Sequence, residues 1–226
     1  MSLQRNICFG ALAFTVGVVV LARPVQAVVT HNANVTNGVY FGSGNVNGGW
    51  TVSNEGGVTG YEIGLRAKIR GGAVITPEIN HYETLTGPDP SNASRAFWNW
   101  EFSIDNLSNG GLTGLTAIMT ITSAGGLTNA NPVSTLDLLA IGDNAIRASS
   151  GSSGEQNSEN MVFGFLPGYS MWYGDTYTFS VVLRDGSSTV LATNVITVSA
   201  VPEPASLTLL ALGVAGLVGV SRKRRR

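Results

Sequence analysis

The chain has 226 residues, of which 43% are hydrophobic, and this is enough for a single domain with a sizeable core. Between residues 28 and 201, thirteen acidic residues stand against six basic ones, so this segment carries a formal net charge of −7. An acidic segment without a basic patch excludes nucleic acid as a partner, because binding to phosphates requires clustered Lys and Arg.

The first 27 residues have the pattern of a secretory signal peptide. Arg5 supplies the positive start, residues 7–22 the apolar run, and Val25-Gln26-Ala27 the cleavage site, with Ala27 as the last residue removed. An uncleaved N-terminal anchor is the alternative, which the short apolar run disfavours. The only cysteine, Cys8, lies in this segment. The exported chain is therefore predicted to contain neither a disulfide nor a catalytic thiol.

The segment from residue 28 to residue 200 is predicted to form an all-β domain. Four stretches alternate apolar and polar residues with period two, as half-buried strands do: residues 61–70, 98–105, 115–122 and 177–183. Asp185-Gly186, after the last stretch, is a hairpin signal. About eight to ten strands separated by turns predict an antiparallel β-sandwich with a jelly-roll-like arrangement.

Other segments of the domain carry weaker signals. Residues 136–141 are too few to distinguish a short helix from a strand. Residues 148–160 are rich in Ser, Gly, Asn and acidic side chains, and this composition predicts a mobile surface loop. No internal repeat stands out.

No catalytic constellation is recognisable between residues 28 and 200. The two histidines, His31 and His81, lack the spacing of a metal site or a triad, and we interpret them as solvated or structural. Glu101 and Asp105 share one strand face about 13 Å apart, which exceeds both glycosidase spacings. A carboxylate pair drawn from two strands stays open. No catalytic residue is assigned, and the chain is predicted not to be an enzyme.

Acidic and amide side chains near the predicted strand ends leave structural calcium open, because calcium takes oxygen ligands from such loops. They are Asp105-Asn106, Asp137, Asp143-Asn144 and Asp175. Side chains of this type more often form turns, and no Asp-x-Asp-x-Asp-Gly loop is present. The sequence therefore predicts no metal ligand set and no cofactor, with calcium as the open alternative.

The four tryptophans divide into two pairs. Trp98 and Trp100 fall on the apolar face of their strand, so they are predicted to pack in the core. Trp50 and Trp172 stand among glycines and tyrosines, and exposed tryptophans can stack on sugar rings. Trp50 and Trp172 are therefore the candidate carbohydrate contacts.

The C-terminal segment from residue 201 to residue 226 has the form of a signal rather than of a folded element. Val201-Pro202-Glu203-Pro204 precedes an uncharged run at residues 205–220, which is shorter than the roughly twenty residues of an ordinary membrane span. The chain then ends in five basic residues, Arg222, Lys223, Arg224, Arg225 and Arg226. Because basic residues resist translocation, we predict a transmembrane helix whose end is retained in the cytoplasm.

This arrangement resembles the PEP-CTERM sorting signal of Gram-negative envelopes. Pro202, Glu203 and Pro204 match the motif, and residues 222–226 match the basic cluster, so the resemblance is confined to the tail. It implies that exosortase, an integral-membrane enzyme, recognises the motif and removes the tail, which makes the inner membrane a transient partner. An ordinary tail anchor that is never removed is the alternative.

The resemblance also bears on function. Because exosortase systems often accompany exopolysaccharide production, it implies a non-enzymatic structural or adhesive protein of the cell surface or biofilm matrix, with exopolysaccharide as the implied partner. The alternative is a secreted polysaccharide-binding or polysaccharide-active protein that uses a carboxylate pair. Two carboxylates about 5 to 9 Å apart in a tryptophan-lined groove would favour that alternative.

Overall fold

The computed structural model describes residues 28–40, 45–55, 60–124, 133–141, 146–147 and 153–203. The predicted signal peptide and the predicted membrane helix lie outside these ranges. Within them, no helix combines the length and the apolar composition that a membrane crossing needs. Two 3-10 helices, Leu138–Ala140 and Met161–Phe163, occur among the described residues.

The rest of the described regular structure consists of β-strands. They are β1 (Val28–Ala33), β2 (Trp50–Glu55), β3 (Tyr61–Ile69), β4 (His81–Leu85), β5 (Pro88–Asp89), β6 (Asn92–Ala96), β7 (Trp98–Asn106), β8 (Thr116–Ser123), β9 (Val133–Asp137), β10 (Ile146–Arg147), β11 (Gly154–Asn160), β12 (Asp175–Arg184) and β13 (Val190–Val201). The four predicted strand stretches correspond to β3, β7, β8 and β12, and the predicted hairpin joins β12 to β13.

The strands form two main sheets and one small hairpin. The six-stranded sheet has the order β1-β2-β3-β7-β11-β10, and all its neighbours are antiparallel. The five-stranded sheet has the order β4-β13-β12-β8-β9, in which only β4 and β13 run parallel. β5 pairs with β6. The prediction of an antiparallel β-sandwich is confirmed apart from this parallel pair, and the jelly-roll variant stays a prediction.

The core lies between the two sheets and combines aliphatic side chains with a cluster of aromatic rings. Trp98 and Trp100 of β7 are both 1% exposed, which confirms their predicted place in the core. Phe179 of β12 contacts both, with ring centroids 6.2 Å from Trp98 and 5.8 Å from Trp100. Because burial of each large apolar side chain contributes about 1.5–3 kcal/mol, these contacts hold the two layers together.

Polar side chains also join the layers where β13 passes over β2 and β3. The Asn194 side-chain amide donates to the carbonyl oxygens of Thr51 at 2.8 Å and Ile63 at 2.7 Å. The Tyr82 hydroxyl lies 2.8 Å from the carbonyl oxygen of Gly49. These bonds satisfy buried polar groups and fix how the two sheets are placed on each other.

The sequence prediction was wrong for residues 153–160. This part of the predicted mobile loop contains β11, which pairs with β7 along its whole length and is largely buried; residues 148–152 lie outside the described residues. The polar side chains are buried because each finds a partner: Gln156 donates to Ser103 Oγ at 3.0 Å, and Asn160 donates to the Ala96 carbonyl at 3.0 Å.

Residues 136–141, which the sequence left between helix and strand, contain both. β9 ends at Asp137, and the 3-10 helix begins at the next residue. The Asp137 side chain causes this change of direction by accepting a hydrogen bond from the Leu139 N–H at 3.2 Å.

Candidate processing site

The last strand of the domain runs directly into the Pro-Glu-Pro sequence. Val201 lies opposite Leu85 of β4, and its carbonyl oxygen accepts a hydrogen bond from the Thr86 N–H at 2.9 Å. Pro202 has no N–H with which to continue the ladder. The sheet therefore ends at Val201, and Pro202 is the first residue beyond it.

At Pro202 the chain leaves the sheet and passes over Gly174. A Cβ atom at Gly174 would lie only 2.9 Å from Pro202 Cδ and 3.0 Å from the Ala200 carbonyl oxygen, so the position has no room for a side chain. A shallow groove of about 530 Å³ runs beside Pro202, between the adjoining ends of β12 and β13. Pro202 and Glu203 are both exposed. The contact with Gly174 sets the point at which an accessible chain leaves the domain.

The remaining residues of the predicted signals lie outside the described residues. They are Ala27 at the predicted signal cleavage site, Pro204, and the basic cluster Arg222, Lys223, Arg224, Arg225 and Arg226. Their assignments stay predictions. Gly174 was missed by the sequence reasoning, because only the fold shows that it lies beneath Pro202.

The prediction that Trp50 contacts carbohydrate was wrong. Trp50 is fully buried, since it lies on the outer face of the six-stranded sheet beneath other side chains. Gly64 leaves room for its ring, because a Cβ atom there would lie 3.1 Å from Trp50 Cε3. The Arg66 guanidinium carbon lies 4.1 Å from the Trp50 ring centroid. No sugar ring can reach this tryptophan.

Trp172 is instead exposed. It lies in the segment before β12, where Trp172 is 63% exposed and its neighbour Tyr173 is 53% exposed. The Trp172 N–H donates to Ser170 Oγ at 3.4 Å, and the Tyr173 N–H donates to the Ser170 carbonyl oxygen at 3.4 Å. The two aromatic side chains are therefore presented together by an ordered turn. Whether Trp172 contacts carbohydrate stays a prediction.

The outer face of the six-stranded sheet contains a buried ion pair that the sequence reasoning missed. Arg66 of β3 and Glu101 of β7 lie directly opposite each other, with 2.5 Å between Arg66 Nε and Glu101 Oε2, and both are at most 1% exposed. Glu101 Oε1 accepts a hydrogen bond from Ser158 Oγ at 2.8 Å. Arg66 also donates to the carbonyl oxygens of Val46 and Gly48. The sequence did contain a signal for this ion pair, because opposite charges stand on the polar faces of two predicted strands.

Two further carboxylates of this face bind the segment after β1. Glu62 accepts hydrogen bonds from the Thr36 N–H at 2.9 Å and from Thr36 Oγ1 at 2.6 Å. Asp105 accepts from the Asn37 side-chain amide. Like Glu101, these two groups are engaged in holding the chain across the sheet. Glu101 differs from them in that it also lines a polar pocket, together with Asp89, Lys68 and Arg70.

Burial also shifts titratable groups on this face. Burial lowers the pKa of Lys68 below its ordinary value; the nearby Glu101 carboxylate opposes this shift, and Arg66 adds to it. The Lys68 ammonium donates to the Asn45 side-chain oxygen. Burial raises the pKa of Tyr40, and the carboxylates of Asp105 and Glu155 raise it further.

The residues considered as calcium ligands lie apart and serve local structure. Asn106 accepts from Ser108 Oγ at 2.6 Å, Asp137 accepts at the start of the 3-10 helix, and Asp175 accepts from Ser123 Oγ. Asp143-Asn144 lies outside the described residues. In the part of the chain that the structure describes, no three His, Cys, Asp or Glu side chains come together around a metal position.

The two histidines lie in different sheets. His31 is exposed on β1, at the edge of the six-stranded sheet, whereas His81 begins β4. His81 Nδ1 lies 2.9 Å from Thr197 Oγ1 on the neighbouring β13. His31 lines a pocket with Ile79 and Asn80, while the His81 ring is engaged with Thr197.

Comparison with protein families identifies the tail. Residues 200–225 match the model of the PEP-CTERM protein-sorting motif. A comparison of the chain with curated proteins finds no match. The matched segment begins within β13, so the sorting motif and the folded domain overlap at Ala200 and Val201. The motif indicates export, sorting to the cell envelope or surface, and processing by the membrane enzyme exosortase.

Proposed function

We propose that this chain, which carries a PEP-CTERM sorting motif, is a surface or extracellular-matrix protein released by exosortase, with a non-enzymatic structural or adhesive role linked to exopolysaccharide or biofilm. The continuity of the motif with β13 carries the proposal, because the motif follows the last paired residue of the β-sandwich without a linker. The chain is thus arranged as one folded cargo and one removable tail.

The state of the acidic side chains supports a non-enzymatic role. Both oxygens of Glu101 accept hydrogen bonds, and Glu62 and Asp105 bind the segment after β1. A general acid or nucleophile must instead approach its substrate. The described domain also exposes single large aromatic side chains, among them Trp172 and Tyr173, which are available for contact with a partner.

The geometry of the motif supports a proposal for the position of the cleaved bond. The backbone up to Val201 is bound in the sheet, whereas Pro202 and Glu203 are exposed. Pro202 and Pro204 each favour extended geometry in the residue before them, and an extended chain is the form that protease-type clefts accept. We therefore place the cleaved bond beyond Pro202, between the sheet and the apolar run.

Mass spectrometry of the protein from intact cells tests this proposal. We expect a mature form that ends at residue 202, 203 or 204 and lacks peptides from residues 207–220. Replacing Pro202, Glu203 and Pro204 together by alanine should block the shortening, whereas Ser187→Ala, in the distant β12–β13 turn, should leave it unchanged. Peptides from residues 207–220 in the surface form, or normal shortening of the triple variant, would contradict the proposal.

Orientation in the membrane provides a second test. The basic residues 222–226 should hold the end of the chain in the cytoplasm while the domain from residue 28 lies on the other side. A reporter that is active only in the periplasm, fused after Arg226, should stay inactive. An active reporter would reverse the proposed topology.

Polysaccharide binding is the second candidate function, and the exposed pair Trp172 and Tyr173 favours it. Binding of the purified protein to the host's exopolysaccharide should then weaken at least tenfold in Trp172→Ala. Trp50→Phe serves as the control, because Trp50 is buried and cannot contact the polymer. Equal binding by wild type and Trp172→Ala would remove this candidate.

A further inference from the structure

The exposed aromatic pair lies at the same end of the molecule as the outgoing tail. Gly174, the residue after Tyr173, contacts Pro202. On the other side of the turn, the Met171 carbonyl oxygen accepts a hydrogen bond from the Gly87 N–H at 2.6 Å. The preceding Thr86 binds Val201. The turn is therefore fixed to the end of β13 by contacts at both of its ends.

The tail cannot hold this end far from a membrane. Only two residues, Glu203 and Pro204, lie between Pro202 and Ala205, where the uncharged run begins, and an extended chain covers at most about 3.5 Å for each of these three residue steps. The point at which the chain leaves the sheet therefore lies within about 10 Å of the apolar run. By contrast, the β12–β13 turn lies at the other end of β13, roughly 36 Å away.

Trp and Tyr are suited to the boundary between lipid and water. Their rings are apolar, while the indole N–H and the phenol O–H can bind water or headgroups, and both residues are enriched at membrane interfaces. Val201, beside the same exit point, is also exposed. The domain has an excess of seven negative charges, so attraction to anionic lipid does not contribute.

We propose that Trp172 and Tyr173 form an interfacial contact with the lipid bilayer that holds the domain against the membrane until the tail is removed. This inference rests on the proposed function, since it requires the tail to be inserted. The contact limits the rotation of the domain about Pro202. It thereby presents the Pro-Glu-Pro motif to a membrane enzyme at a constant height.

Tryptophan fluorescence can test the contact, because Trp172 is the exposed one of four tryptophans and the other three are at most 1% exposed. The full chain is reconstituted into phosphatidylcholine vesicles with and without brominated lipid. We expect brominated lipid to quench at least half of the Trp172 emission, obtained as the difference between wild type and Trp172→Phe. Quenching below a tenth of that emission would overturn the inference.

A pair of labelled variants provides a matched control. In a Cys8→Ser background, Tyr173→Cys and Ser187→Cys each carry one polarity-sensitive fluorophore, at opposite ends of β13. Vesicles should shift the emission to the blue at position 173 and leave position 187 unchanged. Equal shifts at both positions, or none, would contradict the contact.

Two measurements separate this inference from the proposed function. If the chain does not float with the vesicles, the inserted tail and the proposed function fail together with the inference. If it floats while Trp172 stays fully accessible to aqueous iodide, the inference alone fails. Shielding of Trp172 by soluble exopolysaccharide but not by vesicles would also overturn it, in favour of a carbohydrate site.

Discussion

Arg66 connects several parts of the outer face of the six-stranded sheet. Its guanidinium pairs with Glu101, donates to two carbonyl oxygens of the chain segment before β2, and lies over the Trp50 ring. Removing one partner of a buried ion pair leaves the other charge without compensation. Arg66 is therefore a structural residue whose loss exposes the outer face.

Arg66→Met should lower the free energy of unfolding by about 3–5 kcal/mol. In Arg66→Met/Glu101→Leu, where no charge is left uncompensated, much of that loss should be restored. Arg184→Met is the control, because the Arg184 side chain makes an exposed contact with Ser188, and it should cost less than about 1 kcal/mol. Urea unfolding of residues 28–203 measures all three variants. If Arg66→Met were as stable as Arg66→Met/Glu101→Leu, the cost of leaving Glu101 unpaired would be absent and the prediction would be wrong.

At the scale of elements, the β12–β13 hairpin shows how one turn aligns the longest strand pair. Asp185 Oδ1 accepts hydrogen bonds from the N–H groups of Ser187 at 2.9 Å and Thr189 at 2.8 Å. Ser188 has a φ of +66°, a conformation that favours glycine. The turn therefore includes one strained position beside a side chain that organises it.

Ser188→Gly should raise the free energy of unfolding by about 0.5–1 kcal/mol, because glycine adopts this φ without a steric cost. Ser187→Gly is the matched control, since Ser187 lies in the same turn without a positive φ, and it should be neutral or slightly destabilising. Thermal unfolding of the two variants beside wild type measures the difference. A lower Tm for Ser188→Gly would show that the serine side chain contributes more than the strain removes.

At the scale of the whole molecule, buried tyrosines link stability to alkaline pH. Burial raises the pKa of Tyr82, and hydrogen bonds from Thr51 and the Arg66 charge only partly oppose this. Burial likewise raises the pKa of Tyr169 and Tyr177, with additional contributions from neighbouring phenol or carboxylate groups. The folded protein therefore keeps these phenols protonated at a pH at which the unfolded chain ionises them.

The direction in which stability changes with pH follows from the number of protons that the folded and unfolded states bind. Above pH 10 the unfolded state binds fewer protons than the folded state, so stability falls as the pH rises. Each such tyrosine costs about 1.4 kcal/mol by pH 11. The lowered pKa of Lys68 acts in the opposite direction up to its ordinary value of 10.5. We expect Tm to fall by several degrees between pH 9 and 11, and less so in Tyr82→Phe. A Tm that stays constant between pH 9 and 11 would contradict the raised pKa values of the buried tyrosines.

The parts of the fold that the sequence predicted are those in which side-chain chemistry alternates along the strand. β7 and β12 were recognised because aromatic or aliphatic side chains occupy every second position. β11 was missed because Gly154–Asn160 contains no apolar side chain, and its burial depends on partners such as Ser103 that are distant in the sequence. Hydrogen bonding across strands compensates for missing hydrophobicity, and a local window cannot detect it.

The same distinction applies to the candidate site. Pro202 and Glu203 were identifiable because a sorting motif is read as a contiguous sequence. The exposure of Trp172 and the burial of Trp50 depend on how loops fold back over the sheets, although both residues stand in similar glycine- and tyrosine-rich surroundings. The contact between Gly174 and Pro202 joins residues from two strand ends, so only the assembled sandwich reveals it.

The position of β13 within its sheet has a mechanical consequence. A pull on the tail is transmitted to a strand that is paired on both sides, with β12 along most of its length and with β4 near its end. Tension applied through the tail along the strand axis would load these hydrogen bonds in parallel, as shear, instead of opening them one at a time from an edge. Under the proposed topology, a domain whose tail is still inserted, and which is dragged by flow or by a neighbouring cell, would resist extraction at the proposed processing point.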